Sequence, residues 1–359
     1  MGWRCGLVSL SEQGYERFEE ADLKVIDWLN TGLQEQLNSD DGHTLGSHCY
    51  HLKGRGGIKK AIKDLQEIIS RKHHPVRYRY IIRSDAKGYY AHIRHHKLIG
   101  LLNDAGFSRS VCHVTTQLCQ RMTVHRGIYT ERTQGIPLGC AASPALAAIY
   151  LSPLDNAIRS IPGVKYLRYM DDWVILCPTK WKMRRAVKVM HQTLHSLGLH
   201  VHPDKTFIGK VERGFDFLGA QFSSSPQSQL TLSSVSLSRL NEHLKNKFST
   251  ATRLYEQGKL QSLKFIELYL THWLRWAKGI GIASSSALVA IKRTLLRTTA
   301  MNDDDVLMIT TFTQAMVVWI EKQRQQNNKN AIINSQKHQL LVGHAGNGNR
   351  HIISPNFSS

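Results

Sequence analysis

The stretch that decides the fold reads Val164-Lys-Tyr-Leu-Arg-Tyr-Met-Asp-Asp-Trp-Val-Ile-Leu-Cys177. Two runs of apolar, β-branched and aromatic residues flank a pair of adjacent acids, Asp171 and Asp172. This pattern is typical of a β-hairpin whose tight turn carries both carboxylates. Burying neighbouring carboxylates between apolar strands is costly unless a cation is present, so the pair predicts a divalent-metal site. Only oxygen ligands are in view, which favours Mg²⁺ over zinc. The alternative is an ordinary Asp-containing turn.

A third acid lies upstream, where the sequence Arg79-Tyr-Ile-Ile-Arg-Ser-Asp85 predicts a strand that ends in Asp85. A helix is predicted to follow over residues 91–102. Two-metal phosphoryl transfer needs carboxylates from separate elements, which hold two cations about 3.5–4 Å apart. Asp85 together with Asp171 and Asp172 supplies such a set.

Five segments resemble, in order, the palm motifs of prokaryotic reverse transcriptases. They are Asp85-Ala-Lys-Gly-Tyr-Tyr90, Gly135-Ile-Pro-Leu-Gly-Cys-Ala-Ala-Ser-Pro144, Tyr169-Met-Asp-Asp172, Leu197-Gly-Leu-His-Val-His-Pro-Asp-Lys-Thr206 and Gly214-Phe-Asp-Phe-Leu-Gly219. The group II intron-like, diversity-generating-retroelement and defence-associated enzymes are the most similar. The resemblance covers about residues 54–222, and five motifs in order are far more specific than any one alone.

The resemblance implies an α+β right-hand polymerase with fingers, an antiparallel-sheet palm and an all-α thumb. The corresponding domains are an N-terminal helical extension over residues 1–50, fingers and palm over 51–230, a helical thumb over 231–323 and a flexible tail over 324–359. Apolar spacing supports an amphipathic helix over residues 11–37 and basic helices from residue 234 onwards. Helices are also predicted to fill residues 97–124.

The chemistry that the resemblance implies is RNA-directed DNA synthesis, in which deoxynucleotides are added to a primer 3′ end. Two Mg²⁺ ions, or Mn²⁺ as the alternative, would serve as cofactors at a metal site made by Asp85, Asp171 and Asp172, with Ala86 beside the first of them. Lys205 would protonate the leaving pyrophosphate or stabilise its charge. The alternative for Lys205 is an ordinary surface lysine.

The nucleotide site would include the basic, Gly-rich loop with Lys53 and Arg55, although an ordinary basic turn is as good an explanation of that loop. Tyr90 would press a ring against the 2′ position of the sugar and so prefer deoxynucleotides. The alternative is that Tyr89 or Tyr90 simply belongs to the core. Leu138 and Gly139 would lie close to the nascent base pair.

Two further features follow from the motifs. The primer grip would be the hairpin that contains Phe217, Leu218 and Gly219. Ser143 is a natural N-cap for an apolar helix over residues 145–154.

Leu138 departs from the pattern of most family members, which have Gln there. An amide near the templating pair is therefore absent, and faithful copying is not assumed.

The amino-acid composition indicates which kind of partner the protein binds. The chain has 359 residues, and its 47 Lys and Arg outnumber 27 Asp and Glu to give a formal net charge of +20. Such a basic excess favours a polyanionic partner, here nucleic acid, over a merely solvated basic surface. The six cysteines have no CxxC spacing, so neither a zinc ribbon nor a disulfide framework is indicated. No apolar run approaches the ~20 residues of a membrane span, and we expect a cytoplasmic protein that does not bind membranes.

The expected partners are an RNA template or non-coding RNA, a DNA primer or product, deoxynucleoside triphosphates, and either a partner protein or a second copy of the chain. Antiviral defence with a non-coding RNA or partner proteins is the favoured setting. The alternatives are a diversity-generating retroelement and template-independent or protein-guided DNA synthesis. A rival of another class is a catalytically silent nucleic-acid-binding scaffold, against which the intact acids argue because binding alone does not require them.

Overall fold

The computed structural model describes residues 5–6, 8–11, 15–38, 45–70, 77–223, 230–256, 264–283, 286–287, 289–291 and 293–294. The predicted tail over residues 324–359 and the end of the predicted thumb lie outside these ranges. The chain divides into one unit of residues 1–239 with 263–287 and a second of residues 240–262 with 288–359. The predicted domain boundaries stay a prediction.

The centre of the first unit is a four-stranded antiparallel sheet in the order β6-β7-β3-β8. Its strands are β3 (Tyr80–Asp85), β6 (Lys165–Tyr169), β7 (Asp172–Cys177) and β8 (Phe207–Lys210). The predicted hairpin and the predicted strand before Asp85 are both confirmed. Strand β7 is buried along almost its whole length, as expected of an inner strand with a continuous apolar run.

Helices cover this sheet and complete the core. They are α1 (Glu20–Asn38), α2 (Gly57–Ser70), α3 (Tyr89–His92), α4 (His95–Asp104), α5 (Arg109–Cys119), α6 (Ser143–Tyr150), α7 (Ser152–Arg159) and α8 (Lys180–Leu197). Helix α8 packs on β3 and β7, and it buries Ala186, Met190 and Leu194 at helical spacing. Thr179 begins α8, since its side chain accepts a hydrogen bond from the amide of Lys182.

A second sheet was not predicted from the sequence. Its order is β2-β1-β4-β5, with strands β1 (Val8–Leu10), β2 (Glu16–Arg17), β4 (Met122–His125) and β5 (Ile128–Glu131). The predicted helix over residues 11–37 therefore begins only at Glu20, and the predicted helices up to residue 124 end at Cys119. Strand β1 pairs in parallel with β4, a contact between distant parts of the chain that local patterning does not reveal.

Three other predictions about helices were wrong in detail. The helix predicted over residues 91–102 is split into α3 and α4, because Ile93 is extended and its carbonyl accepts a hydrogen bond from the amide of Gly135. Ser143 lies inside α6 and is not its N-cap, which is Ala142. The Ser143 hydroxyl donates instead to the Pro137 carbonyl at 2.7 Å. The predicted single helix over 145–154 is also two helices, α6 and α7.

The remaining described elements follow the central sheet along the chain. A three-stranded sheet in the order β11-β10-β9 consists of β9 (Phe215–Phe217), β10 (Ala220–Phe222) and β11 (Thr231–Leu232). Helices α9 (Ser234–Glu256) and α10 (Lys264–Gly279) come next, where the sequence predicted basic helices. Among the residues that the structure describes, none of the helices is both long and apolar enough to cross a membrane.

A completely buried ion pair joins α7 to the central sheet. The Arg168 guanidinium donates from Nε to Asp155 Oδ1 at 2.8 Å and from Nη2 to Oδ2 at 2.5 Å. The Tyr166 hydroxyl donates to the same carboxylate at 2.8 Å, and His48 Nε2 lies 3.1 Å from it. Burial alone would raise the pKa of Asp155, but Arg168 and His48 outweigh burial and hold that pKa below its ordinary value.

Removing one partner of this pair should be far more damaging than removing both. Asp155→Ala leaves the Arg168 charge buried and unpaired, so we expect a loss of about 3–5 kcal/mol in the free energy of unfolding. The Asp155→Leu, Arg168→Met double variant should lose less. Urea-induced unfolding measures both. Glu67→Ala, in an exposed 3.7 Å pair with Lys63, is the control and should cost at most about 1 kcal/mol. Equal losses for Asp155→Ala and Glu67→Ala would contradict the proposed importance of the buried pair.

Candidate active site

The strand register brings the three predicted acids together. Asp85 is the last residue of β3 and pairs across the sheet with Asp172, the first residue of β7. Tyr169 pairs with Asp172 on the other side, so Met170 and Asp171 alone form the hairpin turn. Asp85 is only 5% exposed. Carboxylates that are far apart in the chain therefore share one end of the sheet.

The turn has an unusual backbone conformation. Met170 has a φ of 58°, in the left-handed region that costs a non-Gly residue about 1 kcal/mol or more. Arg168 Nη1 donates to the Met170 carbonyl at 3.0 Å, so the buried ion pair extends to the turn. The conformation next to Asp171 is thus held by the Arg168 side chain, which cannot move without leaving a buried charge unpaired.

The carboxylates repel one another. Burial, followed by the charges of Asp85 and Asp171, raises the pKa of Asp172 to about 6. The pKa of Asp171 is raised as well, first by burial and then by Asp85. Negative charge is therefore concentrated here without full compensation, which is the condition under which a cation binds most favourably.

Lys205 forms an ion pair with one of these acids. Its Nζ lies 2.5 Å from Asp85 Oδ2, and its side chain is half exposed. Two hydrogen bonds place the turn that carries it: the amide of His202 donates to the Asp85 carbonyl at 2.8 Å, and the hydroxyls of Ser84 and Thr206 are 2.8 Å apart. Lys205 therefore lies against Asp85, and its part in the chemistry stays a prediction.

The donor set fits a divalent metal ion. Asp85, Asp171 and Asp172 offer only oxygen atoms, which Mg²⁺ prefers, and their repulsion would be relieved by a cation. Ala86, the fourth predicted metal residue, is buried and could contribute only its carbonyl. Within the described ranges, however, no group of three or more His, Cys, Asp or Glu side chains is arranged so that it could hold a metal ion. The acids thus match the ion in charge and chemistry, while Asp85 is engaged by Lys205.

The predicted nucleotide residues near the palm occupy neighbouring positions. Tyr89 is the core member of the tyrosine pair, because it is buried and donates to the Ala147 carbonyl at 2.5 Å. Tyr90 is partly exposed, and its carbonyl accepts from the amide of Ile136 at 2.9 Å, which ties it to the segment that carries Leu138. Burial, with further contributions from Asp171 and Cys140, raises the pKa of the Tyr90 hydroxyl.

Leu138 and Gly139 form an exposed corner. Leu138 is 42% exposed, and Gly139 has a φ of 85°, a conformation that suits glycine. The amide of Glu16 donates to the Leu138 carbonyl at 3.0 Å. Arg121 forms a buried ion pair with the Glu16 carboxylate, which fixes β2 beside this corner. The sequence reasoning did not anticipate this support from the N-terminal strand.

The two basic residues of the Gly-rich loop have different surroundings. Lys53 is exposed, whereas Arg55 donates from Nη2 to the carbonyls of Leu37 at 2.9 Å and Leu45 at 3.3 Å. Arg55 therefore holds the loop against the end of α1. A contact of either residue with a triphosphate stays a prediction.

The predicted primer-grip residues form the β9–β10 turn. Phe217 is buried and pairs with Ala220, while Leu218 and Gly219, with φ of 48° and 86°, make the two-residue turn. A Cβ on Gly219 would lie 2.7 Å from Trp276 Cζ2, so only glycine fits there. A contact of this turn with a primer stays a prediction.

The polar residues beneath the turn were missed by the sequence reasoning. Arg168 and Asp155 are both fully buried, and neither lies within the five segments that resemble palm motifs. One signal was available for Arg168, because a charged residue in the middle of an apolar strand is costly to bury without a partner. The sequence offered no comparable way to find Asp155, whose proximity depends on how α7 packs.

With this geometry established, comparison with known proteins identifies the family. The model of the reverse transcriptase (RNA-dependent DNA polymerase) family matches residues 7–222. The chain belongs to this family, and its α+β palm is that of a right-hand polymerase. Among curated proteins, it is similar to the Retron Ec86 reverse transcriptase of Escherichia coli, with 25% identity over 132 residues. That alignment covers 36% of this chain and 38% of the relative, so the chain matches well under half of the relative's length.

Two solved structures are also similar in part. Apo telomerase from Candida Tropicalis gives a TM-score of 0.49 at 16% identity, over 84% of this chain and 51% of the other. Telomerase from Candida albicans, solved with a TWJ fragment of telomeric RNA, gives 0.47 at 12% identity, over 81% and 57%. Neither likeness reaches a TM-score of 0.5, so nothing about this chain is inferred from them.

Removing one acid should stabilise the protein when divalent ions are absent. The folded-state pKa of Asp172, about 6, exceeds its ordinary value of 3.8, so this group's contribution to stability falls as pH rises from about 4 to about 6. Asp172→Asn should therefore raise the free energy of unfolding by about 1–2 kcal/mol at pH 7 and have little effect near pH 4. Chemical unfolding at both pH values measures this. Asp104→Asn replaces an exposed acid and is the control. A lower free energy of unfolding for Asp172→Asn than for the wild type at pH 7 would contradict the proposed repulsion.

Proposed function

We propose that this protein is an RNA-directed DNA polymerase that adds deoxynucleotides to a primer 3′ end. The observation that carries the proposal is the β3–β7 register, which sets Asp85 opposite Asp172 and beside the Asp171 turn. Membership in the reverse transcriptase family supports the same reaction. A scaffold that only binds nucleic acid has no use for clustered carboxylates in which burial, and then mutual repulsion, raises the pKa of two of them.

The roles of the residues follow from their positions. Asp85, Asp171 and Asp172 would hold two Mg²⁺ ions, with Mn²⁺ as the alternative, which would lower the pKa of the primer 3′-hydroxyl and neutralise triphosphate charge. The chain's acids orient the attacking hydroxyl in line with the bond that breaks. Lys205, at the same end of the sheet, supplies a proton or positive charge to the leaving pyrophosphate.

Tyr90 would exclude ribonucleotides. Its backbone is tied to Ile136 and its ring lies edge-on against the buried Tyr89, with ring centroids 5.9 Å apart. A ring whose backbone is fixed and which packs against a buried neighbour cannot easily move away from a 2′-hydroxyl, so steric exclusion favours deoxynucleotides. Leu138 offers no amide to the templating base, and we propose that copying is correspondingly less faithful.

The proposed setting is antiviral defence in the cytoplasm with a non-coding RNA or a partner protein. Support comes from the formal charge of +20, which suits an RNA partner, and from similarity to a retron reverse transcriptase. Purifying the protein from its native host and sequencing the bound RNA and the DNA product tests this setting. Paired template and variable repeats, with a product copied from the template repeat, would favour a diversity-generating retroelement instead.

Primer extension tests the reaction itself. The wild-type chain should extend a DNA primer on an RNA template with deoxynucleotides and Mg²⁺, and Asp171→Asn or Asp172→Asn should lower the rate by at least about 10³-fold because the cations are no longer held. RNA affinity should stay within about twofold. Asp104→Asn serves as the matched acid-to-amide control. Extension at the wild-type rate by the Asp171→Asn, Asp172→Asn double variant would sink the proposal.

Lys205 is tested separately from the acids. Lys205→Ala should lower kcat by about 10²-fold or more, because the leaving group loses its proton donor, and should leave RNA affinity unchanged. Lys210→Ala removes an exposed lysine from the neighbouring strand and is the control. Single-turnover extension kinetics and RNA-binding titrations measure the two effects. If both variants behave alike, Lys205 has no special part in the chemistry.

A further inference from the structure

Both backbone polar groups of Met170 are held by side chains. The amide N–H donates to His51 Nδ1 at 3.0 Å, and the carbonyl accepts from Arg168 Nη1 at 3.0 Å. His51 comes from the loop before α2, which is 119 residues away in sequence. A turn residue in a left-handed conformation is thus clamped from two sides, next to Asp171.

The hydrogen bonds of His51 determine its tautomer. Nδ1 accepts from the Met170 amide, so it carries no proton. The ring proton must then be on Nε2, which lies 3.2 Å from the Pro144 carbonyl, a group that can only accept. The imidazole is therefore neutral with its hydrogen on Nε2. Burial and then the charge of Arg168 lower the pKa of His51 to about 4, which agrees with this assignment.

His51 therefore joins two parts of the site. One ring nitrogen contacts the turn that carries Asp171, and the other contacts Pro144, at the end of the segment that carries Leu138 and Gly139. The ring also packs edge-on against Tyr169, with centroids 5.9 Å apart. Few side chains could replace it, because the position needs an acceptor and a donor on opposite sides of one small planar group.

We propose that His51 is a positioning residue that sets the geometry of the catalytic turn and couples it to the nucleotide-binding segment. This inference rests on the proposed polymerase function. Without His51, the Met170 amide loses its partner and the left-handed turn can relax, which moves the Asp171 carboxylate. A displacement of about 1 Å in a catalytic group can cost about 10²-fold in rate, even when substrates still bind.

Three substitutions separate the contacts that His51 makes with Met170 and with Pro144. In Asn, Oδ1 stands near the place of Nδ1, so His51→Asn keeps an acceptor for the Met170 amide and loses the Pro144 contact. Gln places its amide N–H near Nε2, so His51→Gln keeps the Pro144 contact and loses the acceptor. His51→Phe fills the same space and makes neither hydrogen bond. His113→Asn, an exposed histidine on α5, is the control.

Single-turnover primer extension with the full chain gives the main readout. We expect His51→Gln and His51→Phe to lower kcat by about 10²-fold, with the KM for deoxynucleotides and the RNA affinity within about threefold of wild type. His51→Asn should recover kcat to within about fivefold of wild type. A purely structural role would instead lower the stability of all three variants and give no recovery with Asn. Wild-type kcat in His51→Gln would overturn the inference.

A second readout does not depend on activity. In ¹⁵N-histidine-labelled wild-type protein, the His51 ring should show one protonated nitrogen, Nε2, from pH 6 to pH 8, assigned by its absence from whichever variant folds. A proton on Nδ1 of His51 would overturn the inference, whatever the kinetics of the variants. The two proposals also fail differently: if the wild type cannot extend any primer, the polymerase function falls, whereas the tautomer can still be found as assigned.

Discussion

Three carboxylates that repel one another are held at one end of a sheet by a backbone register, and the rest of the structure depends on that constraint. The pairing of β3 with β7 places Asp85 opposite Asp172 whatever the electrostatic cost. That cost is visible in the raised pKa of Asp172 and of Asp171. It is offset by the apolar burial of strands such as β7 and of the helices around them. Stability supplied elsewhere thus maintains a site that is itself unfavourable without cations.

The support of the turn is polar, although the surroundings are apolar. Arg168 is fully buried and bonds to Asp155, to the Ala148 carbonyl and to the Met170 carbonyl. Hydrogen bonds are directional, so they determine the orientation of a turn more closely than hydrophobic contacts do. A buried ion pair adds little net stability compared with an apolar replacement, and a geometric role explains its position under the Asp171 turn better than stability does.

Local patterning predicted the elements that have a strong apolar pattern and turn signals of their own. The hairpin of β6 and β7 and the strand that ends in Asp85 were found from alternation and turn residues. The strands β1 and β4 were missed, because they have only three and four residues and their parallel pairing joins distant parts of the chain. The break between α3 and α4 was missed for the same reason, since the Gly135 amide that bonds to Ile93 comes from a distant segment.

The sequence by itself determined the chemistry: which acids are present, that they follow or interrupt apolar strands, and that the chain carries a large basic excess suited to nucleic acid. Only the tertiary structure decided which side chains support those acids. Lys205 reaches Asp85, Arg168 reaches Asp155, and His51 reaches Met170 through contacts across the folded chain. Periodicity reports which face of an element is buried, but a directional contact between distant residues depends on how those elements pack, and this packing is a property of the whole fold.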